Sequence, residues 1–234
     1  MNQDSAVIFD MDGVLVDSYH AHHRSWLAIV EPLGLSCTEE DFARTFGRTS
    51  REILAAAWGA DRFSAAEIAA LDDEKEAAFR RILAADFPAM PGARKLLEEL
   101  DRAGLKLAVG SSGPPENVDL VLEQLGAKHL FGATVTARDV TRGKPDPQVF
   151  LVAAARLGVP PERCAVVEDA PLGLAAANAA GMASIGLAST GRTVESLVAA
   201  ELVVGSLGEL SPQVIGDLIA RHARRVSASK TRFF

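Results

Sequence analysis

The amino-acid sequence predicts an α/β fold, a doubly wound parallel sheet with an α-helical domain inserted after the first strand. Three features predict it: an apolar strand-like run near the N-terminus, a block of helical patterns without strand signals at about residues 19–86, and an alternation of helices and short apolar strands after Pro91. Such alternation is typical of parallel sheets with right-handed crossovers. We therefore expect a core of residues 1–17 and 88–234 and a helical cap of residues 18–87.

The first strand is predicted at Val7–Phe9, where a wholly apolar run indicates burial on both faces. Inside the helical block, three hydroxyl residues indicate helix starts. Thr38 can cap the helix EEDFARTF, Ser50 precedes REILAAAW, and Ser64 forms a capping-box pattern with Glu67.

Regular alternation begins after the chain breaks at Pro88 and Pro91. Four predicted helices each lead to a predicted strand, and these strands read KLAVG, ATVT, CAVVE and ASIGL. A last short strand, ELVVG, is followed by the helix SPQVIGDLIARHARR. The first strand belongs to the same sheet by its composition.

Composition limits the classes of function. The 234 residues are 48% hydrophobic and 24% charged, which suits one globular core with a smaller appended domain. The formal net charge of −7 argues against nucleic acid as a partner but not against a small phosphorylated ligand. Cys37 and Cys164 form no disulfide or zinc pattern. We see neither a leader pattern nor an apolar run of membrane-spanning length, and therefore expect a soluble cytoplasmic protein.

Acidic residues follow the first strand in the stretch VIFDMDGVLVDS. A carboxylate beside apolar packing costs free energy unless a metal ion, a hydrogen bond or a substrate charge offsets it. Asp10 and Asp12 could act as a nucleophile and a general acid/base, or both could bind a cation. The alternative is an ordinary turn in which Gly13 supplies a permissive backbone. Gly13 is also a candidate for substrate binding.

Further polar residues occupy equivalent positions, because ligands of such sheets bind at the carboxyl ends of strands. Ser111 and Ser112 follow the strand LKLAVG and could donate to a phosphoryl oxygen, or simply cap the next helix. Lys144 lies in the turn-rich loop RGKPDP and could neutralise a phosphate, although surface lysines are common.

The strand CAVVED ends in Glu168 and Asp169. They could cap the following helix, or Asp169 could join Asp10 as an oxygen ligand of Mg²⁺. Taken together, a nucleophilic carboxylate, an acid/base carboxylate, a hydroxyl, a lysine and a metal-binding acid form a complete set for phosphoryl transfer.

Four segments carry a resemblance to a known family: FDMDGVLVDS, VGSS, GKPDP and VVEDAPLGLAAANAAGM. In order and spacing they resemble the motifs of the haloacid dehalogenase-like hydrolase superfamily. The resemblance is to its branch with a small helical cap, near beta-phosphoglucomutase and the CbbY-like and phosphoglycolate-type phosphatases. It covers the chain from Val7 to about Leu187.

The resemblance implies a role for each motif residue. Asp10 would be the nucleophile that forms an aspartyl-phosphate, and Asp12 would protonate the leaving oxygen and then activate water. Ser111 and Lys144 would hold the phosphoryl group. Family members that attack carbon–halogen bonds typically lack the acid at the position of Asp12, so its presence favours phosphate-ester chemistry.

The resemblance also implies Mg²⁺ as cofactor. Its ligands would be the side chains of Asp10 and Asp169 and the backbone carbonyl of Asp12, with Glu168 nearby to order metal-bound water. Ser18 would be the first hinge into the cap, which we expect to close over the substrate and exclude bulk water.

Several cap residues are candidates for substrate binding. His22 and Trp26 share a helix face and match positions near the active site in beta-phosphoglucomutase-like proteins, but Trp26 could equally be packing and His22 solvated. Gly47 would allow close approach of the cap loop. A substrate anion could be reached by one of three cations, although isolated cap cations are usually solvated. These cations are Arg48, Arg51 and Lys75.

The sequence favours a hydrolase over a mutase. A mutase needs a second phosphate site, and the beta-phosphoglucomutase loop that serves it reads Ser-Lys-Asn where this chain has Gly113, Pro114 and Pro115. Glycine and proline offer no side-chain donors there, although Asn117 could compensate. We therefore predict a Mg²⁺-dependent phosphatase of a small phosphorylated metabolite. A sugar phosphate mutase is the alternative, and a non-catalytic binding protein is a lesser one.

Two expectations lie outside the motifs. We expect a monomer or a weak homodimer. The basic C-terminal segment RHARRVSASKTRFF is expected to be a solvated helix end and tail, unless its two final phenylalanines pack on the body or on another subunit.

Overall fold

The computed structural model describes residues 4–231, with side chains as far as Ala228. The chain divides into two compact units. The core unit comprises the chain up to Asp17 and from Ala89 onward, and the helical unit comprises Ser18–Pro88. The final phenylalanines, Phe233 and Phe234, lie outside the described residues.

The core unit contains a six-stranded sheet in which every neighbouring pair is parallel, in the order β3-β2-β1-β4-β5-β6. The strands are β1 Ala6–Phe9, β2 Lys106–Gly110, β3 Ala133–Val135, β4 Cys164–Glu168, β5 Ala183–Leu187 and β6 Leu202–Val204. Helices separate successive strands from β1 to β5, and a short 3₁₀ helix, Val194–Leu197, lies between β5 and β6. This arrangement confirms the predicted α/β class. The order reverses at β1, so that β2 and β4 flank it on either side.

The helices have the following bounds. In the helical unit they are α1 Tyr19–Val30, α2 Glu39–Thr45, α3 Ser50–Trp58 and α4 Ala65–Ala85. In the core unit they are α5 Ala93–Arg102, α6 Pro115–Gln124, α7 Gln148–Leu157, α8 Pro171–Ala179 and α9 Pro212–Thr231. None of the helices within residues 4–231 is both long and apolar enough to cross a membrane.

The helix starts of the helical unit agree with two of the three predictions. Thr38 caps α2, and Ser64 forms a capping box with Glu67 at the start of α4. The prediction for Ser50 was wrong by one residue. Thr49 is the cap of α3, because its extended backbone lets its hydroxyl accept from the N–H of Glu52 while the Glu52 side chain accepts from the N–H of Thr49.

Apolar packing around the sheet fixes the position of the strand ends. β1, β4 and β5 are buried along their whole length. One hydrophobic cluster joins β1, β2, β3 and β4 to α7 and α8, with Phe150 of α7 fully buried in it. Burying a side chain of this size stabilises the fold by roughly 1.5–3 kcal/mol. Loops that leave the carboxyl ends of these strands therefore start from a rigid edge.

Candidate active site

The predicted strand-end residues follow neighbouring strands of the core unit. The N–H of Asp10 donates to the carbonyl of Val167 at 2.9 Å, and the N–H of Ser111 donates to the carbonyl of Val135 at 2.9 Å. The pairing of the sheet thus continues one residue beyond β1 and β2. These hydrogen bonds fix the backbone of both residues at the carboxyl ends of the strands, where ligands of such sheets bind.

Lys144 connects the ends of two strands. Its Nζ lies 2.5 Å from Oδ1 of Asp10 and 2.6 Å from Oε1 of Glu168. All three side chains are at least nine-tenths buried. Nζ also lies 4.9 Å from the centre of the Phe150 ring, within the range of a cation–π contact. The loop lysine predicted from the sequence is therefore an interior cation between two acids.

Burial and neighbouring charges shift the pKa values of this pair. Burial raises the pKa of Asp10 well above its ordinary value, the charge of Lys144 opposes this shift, and the nearby carboxylates of Glu168, Asp12 and Asp169 add to it. Burial alone would lower the pKa of Lys144, but the charges of Asp10 and Glu168 and their hydrogen bonds raise it overall. Lys144 is thus a permanent cation at neutral pH.

Glu168 has protein partners on both carboxylate oxygens. Oε1 accepts from Lys144, and Oε2 accepts from the N–H of Ala170 at 2.7 Å. A methyl group built on Gly173 would lie 1.7 Å from Oε1, so only a glycine at this position of α8 leaves room for the carboxylate. Through these contacts Glu168 fixes the position of the Lys144 ammonium group. Its expected role in ordering metal-bound water stays a prediction.

Asp169 is held mainly through Oδ2. Ser189 donates to this oxygen at 3.0 Å, and Nε of Arg192 lies 3.8 Å from it. Gly13 has a φ of +72°, and a methyl group built there would lie 2.1 Å from the same oxygen. Close packing against Asp169 therefore requires a glycine at this position, and substrate binding by Gly13 stays a prediction. Burial and the charge of Glu168 raise the pKa of Asp169 to about 7, while Arg192 and Ser189 lower it.

Ser111 is buried, and its Oγ accepts from the N–H of Gly113 at 3.0 Å. Because the hydroxyl acts as acceptor in that bond, its own proton is available to donate to a phosphoryl oxygen. Ser112 is exposed, one residue further from the strand.

The acidic cluster suits a divalent cation. One oxygen from each of Asp10, Glu168 and Asp169 lies within 4.8 Å of the others. The interacting charges comprise four carboxylates and two cations, which leaves two formal negative charges. The carboxylates are Asp10, Asp12, Glu168 and Asp169, and the cations are Lys144 and Arg192. Hard oxygen ligands with an excess charge of this size fit Mg²⁺, and Asp12 would add its backbone carbonyl as predicted.

Three candidates in the helical unit are more buried than the sequence indicated. Trp26 is only 1% exposed within the hydrophobic core of that unit, so the packing alternative applies and its assignment to substrate binding is corrected. His22 is half-buried, not solvated, and stacks on Phe79 with ring centres 4.0 Å apart. Nζ of Lys75 lies 2.9 Å from Nδ1 of His22 and 2.7 Å from Oε1 of Glu76, so this lysine is a buried cation.

The remaining candidates differ in exposure. Arg48 and Arg51 are exposed on the helical unit, and Gly47 has a φ of +90°. Asn117 is 1% exposed within α6 of the core unit. Substrate contact by these residues stays a prediction.

Sequence reasoning missed Ser189 and Arg192. They follow β5, which is the neighbour of β4 in the sheet, so the strand-end rule that found Asp169 would also have found them. Thr190, in the same loop, donates to Oδ2 of Asp17 at 2.7 Å and so ties this loop to the loop that follows β1.

A comparison with known families adds to this geometry. The family model described as haloacid dehalogenase-like hydrolase matches residues 5–181. The chain belongs to the haloacid dehalogenase-like hydrolases. This confirms the resemblance that the four motifs indicated.

Relatives of this haloacid dehalogenase-like hydrolase span nearly its whole length. It is 33% identical over 214 residues to validoxylamine A 7'-phosphate phosphatase of Streptomyces hygroscopicus subsp. limoneus, covering 89% of this chain and 97% of that protein. It is 31% identical over 218 residues to beta-phosphoglucomutase of Bacillus subtilis strain 168, covering 91% and 94%. Among solved structures, beta-phosphoglucomutase from Clostridium difficile matches with a TM-score of 0.83 and 27% identity, covering 93% and 98%.

Proposed function

We propose that this hydrolase is a Mg²⁺-dependent phosphatase that acts on a small phosphorylated metabolite, a sugar phosphate or a similar compound, through an aspartyl-phosphate on Asp10. The observation that carries the proposal is the buried contact of Lys144 with both Asp10 and Glu168, beside Asp169. A nucleophile, a fixed cation and a cation-binding acid then lie at one edge of the sheet.

In the first step a carboxylate oxygen of Asp10 attacks phosphorus. The bond from phosphorus to the ester oxygen breaks, and Asp12 gives its proton to the leaving alcohol. Lys144 neutralises charge on the phosphoryl group while Ser111 donates its hydroxyl proton to a phosphoryl oxygen. The buried setting strengthens each of these interactions relative to water.

In the second step water attacks the phosphorus of the aspartyl-phosphate. Asp12, now a carboxylate, takes a proton from that water, and Asp10 leaves as the free carboxylate together with orthophosphate. Both carboxylates return to their starting states, so the cycle balances with one ester and one water consumed.

The cation would be held by the side chains of Asp10 and Asp169 and the backbone carbonyl of Asp12. Bound Mg²⁺ supplies charge that lets an anionic nucleophile approach an anionic phosphate. The packing of Gly13 and the hydrogen bond from Ser189 orient Asp169 for this purpose.

A mutase is the second candidate, favoured by the similarity to beta-phosphoglucomutase of Bacillus subtilis. The loop after Ser111 argues against it. Pro114 is the cap of α6 and Pro115 is its first residue, so the start of this helix lacks two N–H groups as well as side-chain donors. Asn117 is buried, and its N–H donates to the carbonyl of Pro114 at 3.1 Å. Each missing hydrogen bond to a charged group would cost roughly 1.5–3 kcal/mol in binding a bisphosphate.

The deciding experiment measures orthophosphate release from an aryl phosphate, from sugar phosphates and from phosphoglycolate with Mg²⁺ present. A parallel reaction supplies beta-glucose 1-phosphate with a catalytic amount of glucose 1,6-bisphosphate. Release of orthophosphate that outpaces formation of glucose 6-phosphate supports the phosphatase, and the reverse supports the mutase. A binding protein would show neither reaction. The role of residues 18–87 as a cap remains a prediction.

A further inference from the structure

The loop that carries Lys144 has little regular structure of its own. It runs from Val140 to Pro147, and half of its residues are exposed, although the lysine at its centre reaches into the buried acidic site. Within the loop, the N–H of Asp146 donates to the carbonyl of Gly143 at 3.0 Å. Something outside the loop must hold its first half in place if Nζ is to stay within reach of both acids.

One amide oxygen contacts the backbone of that half, in addition to the packing of Val140 on the core cluster and the ion pair of Arg142 with Asp146 at 2.8 Å. Oε1 of Gln148 accepts from the N–H of Thr141 at 3.0 Å, from the N–H of Arg142 at 3.0 Å and from the hydroxyl of Thr141 at 3.2 Å. The N–H of Gln148 in turn donates to Oδ1 of Asp146 at 3.0 Å. Contacts from this one residue therefore reach both ends of the loop.

Gln148 is well placed for this task because it is the first residue of α7. That helix is fixed against the sheet by buried residues including Val149 and Phe150. Phe150 also lies beneath Nζ of Lys144. The start of α7 thus positions Lys144 in two ways. Gln148 binds the backbone of the loop, and the Phe150 ring contacts the ammonium group.

We propose that Gln148 is a positioning residue for Lys144, which fixes the loop so that the ammonium group binds the phosphoryl group of the substrate. The inference rests on the proposed function, because it is the phosphate-binding role of Lys144 that Gln148 serves. Gln148 acts only through the loop and does not contact the phosphoryl group.

The direct test replaces the amide by a side chain of similar length without an acceptor, Gln148→Met. We expect the inhibition constant of orthophosphate and the KM for an aryl phosphate both to rise about tenfold, the loss that about 1.4 kcal/mol represents. Gln148→Glu keeps an oxygen acceptor and should stay within twofold of the unsubstituted protein. The matched control is Gln213→Met in α9, where the lost side-chain hydrogen bond to Asp217 is remote from the site, and it should change neither constant.

A double-mutant cycle separates positioning from general destabilisation. In a Lys144→Met background, Gln148→Met should cause no further change in orthophosphate binding, since its effect passes through the lysine. Orthophosphate binding measured by calorimetry provides a readout besides turnover. If Gln148→Met does not fold, Gln148→Ser serves with the same expectation, because its side chain is too short to reach the donors of Thr141 and Arg142.

The outcomes are distinguishable. If the unsubstituted protein hydrolyses phosphate esters and Gln148→Met matches it in both constants, the inference about Gln148 is overturned and the proposed function stands. An equal effect of Gln148→Met with and without Lys144 would also overturn it. If the unsubstituted protein neither binds orthophosphate nor releases it from esters, the proposed function itself fails, and the inference with it.

Discussion

Replacing Gly173 by alanine should destabilise the protein, although helix propensity alone predicts the opposite. Gly173 lies inside α8, where alanine is favoured over glycine by about 1 kcal/mol. The added methyl group would, however, lie 1.7 Å from Oε1 of Glu168, whereas ordinary contacts begin at 3.4 Å. The carboxylate must therefore move away from residue 173 by about 1.7 Å, the difference between these two distances.

That withdrawal breaks a buried ion pair. Glu168 contacts Nζ of Lys144 at 2.6 Å, so a shift of this size separates the two charges beyond salt-bridge distance. Separating one partner from a buried pair costs about 3–5 kcal/mol, which outweighs the gain in propensity and leaves a net loss of about 2–4 kcal/mol. Turnover should fall as well, because Lys144 loses one of the two acids that hold it.

The assay compares urea unfolding and aryl phosphate turnover in two variants that differ only in position. In Gly216→Ala, also inside a helix, the methyl group meets open space. This variant should be more stable than the unsubstituted protein by about 0.5–1 kcal/mol, with unchanged turnover. The reasoning is refuted if Gly173→Ala matches Gly216→Ala in both stability and turnover.

Three further predictions follow from the same site. Asp10→Asn should abolish aryl phosphate turnover and leave the circular dichroism spectrum unchanged, since the amide is nearly isosteric but a poor nucleophile; substantial residual turnover would contradict the covalent mechanism. EDTA should inactivate the protein, and added Mg²⁺ should restore its activity. Asp169→Ala should raise the Mg²⁺ concentration for half-maximal activity by at least about tenfold. An unchanged Mg²⁺ concentration for half-maximal activity would show that Asp169 is not part of the metal site. In EDTA, the free energy of unfolding should fall as the pH rises from about 5 to about 8, because burial raises the pKa of Asp169 to about 7 and the folded state retains protons that the unfolded chain has released. Urea unfolding at several pH values checks this, and a flat or rising profile would contradict it.

Local sequence rules predicted most of the fold because the local pattern of each strand and helix agrees with the structure that it adopts. Apolar runs of strand length and capping residues such as Ser64 mark their own boundaries. The error at Ser50 arose where two hydroxyl residues are adjacent. Only Thr49 has a glutamate three positions later, so the capping box was present in the sequence and was overlooked.

The candidate site was predictable wherever a functional residue directly follows a strand. Asp10, Ser111 and Asp169 all obey this rule. Gly173 does not follow a strand. A glycine is required there because of the direction of the Glu168 side chain, and sequence spacing does not reveal that direction. Nor could spacing decide between packing and ligand binding for Trp26, because a buried face of a helix looks the same in both cases.

The position of β1 in the sheet has a consequence for how the protein is made. β1 is synthesised first, yet Ala6 pairs with Lys106 on one side and with Cys164 on the other. The intervening helical unit can form from local contacts while the four apolar residues of β1 still lack both neighbours. A nascent chain thus carries β1 with two unpaired edges until β2 has left the ribosome and with one until β4 has followed, and such a segment associates with other chains. We therefore expect chains truncated before residue 168 to aggregate, because the strand that precedes Asp10 still lacks one of its two neighbours in them.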